Sequence, residues 1–150
     1  MRKFEKVSNR FIKYNNTEII LPKRATTHSA CYDIYSPINA EIPPHDKLLI
    51  WTNVKALCND DEAIMIYSRS SGAKYDIRLA NCVGVIDSDY YSNPDNDGNV
   101  GVFIKNDGDK PYIINQGDRI AQAMFIKYFT TDNDETVNTN RTSGFGSTNK

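Results

Sequence analysis

Short apolar segments separated by turn clusters constrain this 150-residue chain most strongly. Strand-length segments rich in β-branched or aromatic residues lie at 48–52, 63–67, 101–105 and 120–126. Clusters of Asn, Asp, Gly and Pro lie between them, at 43–46, 59–62, 93–98, 106–109 and 115–118. Because Asn and Gly tolerate positive φ and Pro pre-sets its own φ, each cluster favours a turn. The alternation predicts an all-β sandwich or barrel, with one short helix near residues 70–75.

Composition and charge exclude several functions. A net charge of -1 argues against direct nucleic-acid binding, which needs a clustered basic face. The sequence has no apolar run long enough for a membrane span, and its first ten residues lack the apolar stretch of a signal peptide. The three cysteines, Cys31, Cys58 and Cys82, are odd in number and lack metal-type spacing. We therefore expect a cytoplasmic protein with reduced thiols.

The segment 120–126 is apolar on both faces, with one amide, Gln122, among its side chains. Two interpretations fit this pattern. The strand is either central to the core of one subunit, or it has a second face that is buried in a subunit interface. A buried amide needs hydrogen-bond partners in either case.

Residues 81–90 form the first candidate for chemistry. An apolar strand here ends in Asp87 and Asp89, which an extended chain would point to the same side, and Tyr90 follows. Two carboxylates on one side favour a bound cation, a raised pKa or simple solvation, so a polar strand end remains the alternative.

Residues 67–74 form the second candidate. Serines, a glycine and Arg69 at a strand-to-helix junction are typical of a phosphate site, although Ser also caps short helices with no ligand present. Asp33 interrupts aromatic neighbours, and its simplest interpretation is a buried Asp bound to an arginine.

Composition divides the chain into three segments. A β-rich domain is predicted for 1–129 and a flexible polar linker for 130–140. The arm at 141–150 carries an arginine, two glycines around Phe145 and a Ser-Thr pair. These residues suit phosphate binding and ring stacking, whereas composition alone also fits a disordered end.

Five segments, in order, resemble the five motifs of the homotrimeric dUTPase family: residues 30–36, 68–71, 81–90, 117–122 and 141–148. The strings Gly-Val-Ile-Asp-Ser-Asp-Tyr and Gly-Phe-Gly-Ser-Thr are the most specific. The resemblance implies a distorted jelly-roll domain whose three copies share their active sites. It also implies hydrolysis of dUTP to dUMP and pyrophosphate, which limits uracil in DNA and supplies dUMP for thymidylate synthesis.

The resemblance also implies roles for individual residues. Asp87 would activate the attacking water. Asn81 and the backbone at Gly84 and Val85 would read the uracil, while Tyr90 would pack on the deoxyribose and exclude a ribose 2′-hydroxyl. The residues implied in holding phosphates are Arg69, Ser70, Ser71, Gln122, Arg141, Gly146, Ser147 and Thr148.

Three further expectations come with the family. Phe145 would stack over the uracil as the arm closes, and Asp33 and Arg119 would support the site. Mg²⁺ would be held by substrate phosphates and water, without a protein ligand.

The chain departs from the family pattern at four places. Cys31 and Ser143 stand where glycine is usual, and Ser68 stands where proline is usual. Residues 91–98 replace a tighter turn. None of these changes removes a group that the chemistry needs.

Two alternatives come from other classes. A dCTP deaminase shares an Arg-Ser-Ser segment but needs a differently placed carboxylate, and the motifs around Asp87 and Phe145 argue against it. A trimeric regulatory module that keeps the nucleotide site only as a sensor would not need Asp87, Tyr90 and the arm together.

Overall fold

The computed structural model describes residues 1–136, so the predicted arm at 141–150 and the end of the linker lie outside the described residues. The strands are β1 (Lys3–Lys6), β2 (Tyr32–Tyr35), β3 (Ala40–Ile42), β4 (Lys47–Trp51), β5 (Val54–Leu57), β6 (Glu62–Tyr67), β7 (Ile77–Leu79), β8 (Gly84–Asp87), β9 (Gly101–Asn106), β10 (Tyr112–Ile114) and β11 (Arg119–Lys127). Short 3₁₀ helices occur at Asn9–Phe11, Ser70–Lys74 and Ser88–Tyr90.

Within residues 1–136, antiparallel pairing arranges the strands in four sheets. The largest has the order β2-β11-β6-β8, and a second has the order β4-β9-β7. The pairs β1-β5 and β10-β3 complete the set. The predicted all-β fold of jelly-roll type is confirmed, and the helix expected near residue 70 is a 3₁₀ turn at Ser70–Lys74. No helix within residues 1–136 has the length and hydrophobicity required to span a bilayer.

The hydrophobic core lies between the two larger sheets. In β9, Val102 and Ile104 point inward and are almost fully buried, whereas the alternating residues Gly101, Phe103 and Lys105 are partly exposed. This is the period-two alternation of a strand with one face toward a core. Ile50 of β4 and Ile64 of β6 are fully buried in the same cluster.

Packing within one chain buries only one of the two apolar faces of β11. Ala121 and Ala123 are fully buried, and Phe125 packs against the core from the same face. On the other face, Met124 and Ile126 are only half-buried. The core of one chain therefore explains one face of β11 and leaves the other partly open.

An ion pair between Arg2 and Glu62 holds the N-terminal segment against β6. Arg2 donates from Nε to both carboxylate oxygens of Glu62, at 3.0 and 2.8 Å, and its Nη2 also contacts Glu62. The backbone N–H of Asn59 donates to the same carboxylate at 3.2 Å. The hydrogen bond from Arg2 is the main cause that lowers the pKa of Glu62 from 4.5 to about 2.

Replacing Glu62 with Gln should weaken the acid dependence of folding. Because the pKa is lower in the folded state, the carboxylate stabilises the fold above pH 4.5, and this contribution is lost as the pH falls toward about 2. Free energies of unfolding measured by urea titration between pH 7 and pH 2.5 should therefore fall less steeply in Glu62→Gln than in the parent. Glu41→Gln, an exposed change in β3, is the control and should keep the parental slope. An unchanged slope in Glu62→Gln would contradict the assignment.

Candidate active site

Three neighbouring strands bring Asp33, Arg69 and Gln122 together. In β11, Gln122 lies opposite Asp33 of β2 on one side and opposite Tyr67 of β6 on the other. Arg69 follows β6 by two residues. The motifs at 30–36, 68–71 and 117–122, which are distant in sequence, thus meet at one end of one sheet.

Asp33 holds two guanidinium groups. Its carboxylate lies 3.3 Å from Nε of Arg69 and 3.4 Å from Nη1 of Arg119, and its side chain is only 13% exposed. A buried carboxylate is costly unless paired, and here two cations compensate it. The expected arginine partner is present, here as two guanidinium groups, whereas Asp33 is only partly buried. The pairing leaves one positive charge in excess.

Further hydrogen bonds fix the arginine and the amide. Nη1 of Arg69 donates to the backbone oxygen of Arg119 at 3.2 Å and to Oγ of Ser71 at 3.3 Å. Nε2 of Gln122 donates to the backbone oxygen of Ser68 at 2.9 Å, which is the partner that a buried amide requires. Next to these groups lies a recess whose lining includes Ser68, Arg69, Ser71 and Arg119 together with aliphatic side chains, and Ser70 and Ser71 are exposed.

A β-bulge orients Arg119. The register shifts between Arg119, opposite Tyr35, and Ala121, opposite Ile34, so β11 has one extra residue there. A bulge bends its strand and changes the direction of a side chain. The sequence does not signal this bulge.

Ser68 has a role that the sequence did not predict. Its Oγ accepts a hydrogen bond from the backbone N–H of Leu79 at 2.9 Å, which ties the end of β6 to β7. Gly72 is required nearby, because a Cβ there would lie 2.6 Å from the backbone oxygen of Ile77. Ser68, which stands where the family usually has proline, therefore makes a hydrogen bond that joins two strands.

A second group of predicted residues lies on β8. This strand forms one edge of its sheet, with Asn81 exposed in the preceding turn and Val85 59% exposed. A Cβ on Gly84 would lie 3.1 Å from Cβ of Ile66, so this position favours glycine. Asp87 ends the strand and is half-buried.

The chain turns immediately after Asp87. The 3₁₀ helix Ser88–Tyr90 begins there, so the expectation that Asp87 and Asp89 share one side of an extended chain is wrong. Asp89 is exposed, and the Tyr90 side chain is buried at 7% exposure. The strand thus ends at Asp87, and the turn that follows carries Tyr90 into the interior of the protein.

The two groups do not meet within the described part of the chain. Along β6, Asp87 pairs opposite Ala63, whereas Gln122 pairs opposite Tyr67. Four residues of strand separate these positions by about 13 Å along β6. In residues 1–136, no three or more His, Cys, Asp or Glu side chains are grouped to hold a metal ion.

Comparisons with known proteins define the class. The sequence profile of the dUTPase family matches residues 17–149. The chain therefore belongs to the dUTPase family, and the resemblance seen in the sequence is confirmed.

Individual proteins of known sequence or structure also support membership of the dUTPase family. The chain is 41% identical to the deoxyuridine 5'-triphosphate nucleotidohydrolase of Lactococcus lactis subsp. lactis (strain IL1403), covering 99% of this chain and 97% of that protein. It is 37% identical to the enzyme of the same name from Fowlpox virus (strain NVSL), covering 85% of this chain and 88% of that protein. The crystal structure of dUTPase from Streptococcus mutans matches with a TM-score of 0.76 and 35% identity, over 86% of this chain and 98% of that one.

Proposed function

We propose that this protein hydrolyses dUTP to dUMP and pyrophosphate, and that Asp87 activates the attacking water. Family membership and the 41% identity over nearly the full length support the reaction. The observation that carries the proposal is strand β8, which follows the turn containing Asn81 at one end and has Asp87 at the other.

The open edge of β8 supports base recognition. Backbone N–H and C=O groups on the outer side of an edge strand are available to a partner, and uracil offers both an acceptor and a donor along one side. Gly84, Val85 and the amide of Asn81 would pair with that side. As the family resemblance implies, a uracil held this close to the β8 backbone would leave no room for the methyl group of thymine.

Asp87 supplies the base for the chemical step. Three residues of extended strand, about 10 Å, separate it from Gly84, which is comparable to the distance between the base and the α-phosphate of a nucleotide. Its carboxylate would take a proton from a water as the water oxygen bonds to the α-phosphorus. The bond from that phosphorus to the bridging oxygen breaks, and pyrophosphate leaves.

The guanidinium-rich recess suits the triphosphate. Arg69, Ser70, Ser71 and Gln122 would bind phosphate oxygens, with Asp33 and Arg119 holding Arg69 in place. Residues 141–148 would complete the site as the arm closes, with Arg141, Gly146, Ser147 and Thr148 at the terminal phosphates. Phe145 would stack on the uracil.

Magnesium belongs to the substrate in this proposal. The polar side chains that line the recess carry guanidinium and hydroxyl groups, and the guanidinium cations attract phosphate oxygens and repel a metal cation. Mg²⁺ would therefore arrive bound to the triphosphate and water, where it neutralises phosphate charge.

The active form would be a homotrimer with shared sites. Two observations support this: the half-buried outer face of β11, and the separation of about 13 Å along β6 between the Asp87 and Gln122 positions. A site that needs both groups would take them from different subunits. The free thiols at Cys31, Cys58 and Cys82 suit a reducing compartment, and we place the enzyme in the cytoplasm.

A nucleotide panel tests the reaction. Pyrophosphate release with Mg²⁺ should be selective for dUTP over dTTP, dCTP and UTP. Asp87→Asn should lower kcat by at least about 100-fold with little change in dUTP binding, since the amide cannot accept the proton. Asp89→Asn is the matched control and should stay near the parental rate. Equal turnover of all four nucleotides, or ammonia release from dCTP, would overturn the function, and a near-normal Asp87→Asn would overturn the assignment of the base.

Mixed trimers test the shared site. Asp87→Asn and Arg69→Ala should each be inactive alone, and co-expression with different tags should restore activity in the doubly tagged fraction. Every doubly tagged trimer contains both variants, so about one third of the parental activity is expected there if a site takes the two residues from different chains, because one site in three is then intact. No recovery in mixed trimers would show that both residues come from one chain.

Removal of the arm tests residues 141–150. A version that ends at Asn140 should lose most of its kcat/KM for dUTP, because the terminal phosphates and the base lose their cover. Its melting temperature should match that of the full chain. Full activity in the shortened version would exclude the arm from the site.

A further inference from the structure

The loop at residues 91–99 follows Tyr90 directly and is unusually buried for a polar segment. Its buried polar side chains are Asn93, Asn96, Asp97 and Asn99, each at most 8% exposed. Among the described residues, no buried side-chain nitrogen or oxygen lacks a hydrogen-bond partner. The loop is thus a closed hydrogen-bonded unit rather than a solvated connection.

This loop holds both ends of Tyr90. The tyrosine hydroxyl donates to the backbone oxygen of Asn99 at 3.0 Å and accepts from Nδ2 of Asn96 at 2.7 Å. At the other end, Nδ2 of Asn93 donates to the backbone oxygen of Tyr90 at 2.8 Å. With its backbone and its hydroxyl both bonded, the ring cannot swing without breaking buried hydrogen bonds.

Asn96 is itself oriented by the loop. Its Oδ1 accepts from the backbone N–H of Gly98 at 3.0 Å and from Nδ2 of Asn93 at 2.8 Å. The amide therefore presents its NH₂ group to the hydroxyl of Tyr90. Gly98 has φ +79°, and a Cβ there would lie 2.8 Å from the backbone oxygen of Tyr90, so the turn requires glycine.

The loop is anchored to a distant part of the chain. Asp97 accepts from the backbone N–H of Ser8 at 2.7 Å and lies 3.0 Å from Nζ of Lys55. Oδ1 of Asn99 accepts from the backbone N–H of Asn53 at 3.0 Å. The support for the Tyr90 hydroxyl is therefore tied to β5 and to the N-terminal segment.

We infer that Asn96 is a positioning residue that acts through the hydroxyl of Tyr90 to set the preference for deoxyribose over ribose. The inference rests on the proposed function and on the role that the family resemblance implies for Tyr90, whose ring would pack on the deoxyribose. Steric exclusion of a 2′-hydroxyl depends on where the ring lies, because a ring that can tilt away makes room for the extra oxygen. Asn96 and the Asn99 carbonyl remove that freedom from the outer end of the ring.

The test is the ratio of kcat/KM for dUTP to that for UTP, measured on the full chain with Mg²⁺. Asn96→Ala should lower this ratio by about tenfold or more, mainly because kcat/KM for UTP rises when the ring no longer excludes the 2′-hydroxyl. Tyr90→Phe keeps the ring, removes the hydroxyl and should lower the ratio similarly. The double variant should fall no further, since both changes break the same link.

Controls separate positioning from stability. Asp95→Ala changes an exposed residue of the same loop and should keep the parental ratio. Melting temperatures of all variants report any general loss of structure. If Asn96→Ala does not fold, Tyr90→Phe alone decides the matter, because an unchanged ratio in that variant would overturn the link.

Two failures are distinguishable. A parent that is selective for dUTP together with an Asn96→Ala variant of unchanged ratio would overturn the inference and leave the proposed function standing. Equal losses for dUTP and UTP in Asn96→Ala would assign Asn96 a purely structural role and overturn it as well. A parent without selective dUTP turnover would overturn both.

Discussion

The pairing of β11 with β2 on one side and β6 on the other is the interaction on which the rest of the structure depends. Ala121 and Ala123 point into the core from β11 and are fully buried. The same register places Gln122 between Asp33 and Tyr67. A slip of one residue would turn the alanines outward and the amide into the core, so one constraint fixes both the packing and the recess.

Charge balance in the recess follows from this register. The carboxylate of Asp33 faces Arg69 and Arg119, and both arginines compensate its partial burial. Burial of one ion pair alone contributes little to stability, because desolvation offsets the attraction. The second arginine provides the surplus positive charge that suits an anionic ligand.

The two ends of the proposed site are stabilised differently. At the recess, strand pairing and ion pairs hold the side chains. After β8, a polar loop folds on itself and buries the tyrosine hydroxyl, with Asn96 and the Asn99 carbonyl as partners. The position of the Tyr90 ring, which we propose to bind the sugar, therefore depends on contacts as distant as Ser8 and Lys55.

Several parts of the fold could be predicted because their signals are local. The segments at 48–52, 63–67, 101–105 and 120–126 correspond to β4, β6, β9 and β11. Short strands such as β1 were not predicted, since β1 has four residues and forms only by pairing with β5, some fifty positions along the chain. Gln122 was recognised as an amide that needs a partner, but Ser68 was not identified as that partner.

The sequence by itself determined the all-β class, the order of the motifs and the family, because turn residues, apolar alternation and specific strings are properties of neighbouring residues. Tertiary structure alone decided the bulge that orients Arg119, the hydrogen bond from Leu79 to Ser68 and the burial of residues 91–99 around Tyr90. Each of these joins groups that are distant in sequence or depends on the register between strands, and no local pattern encodes such a register.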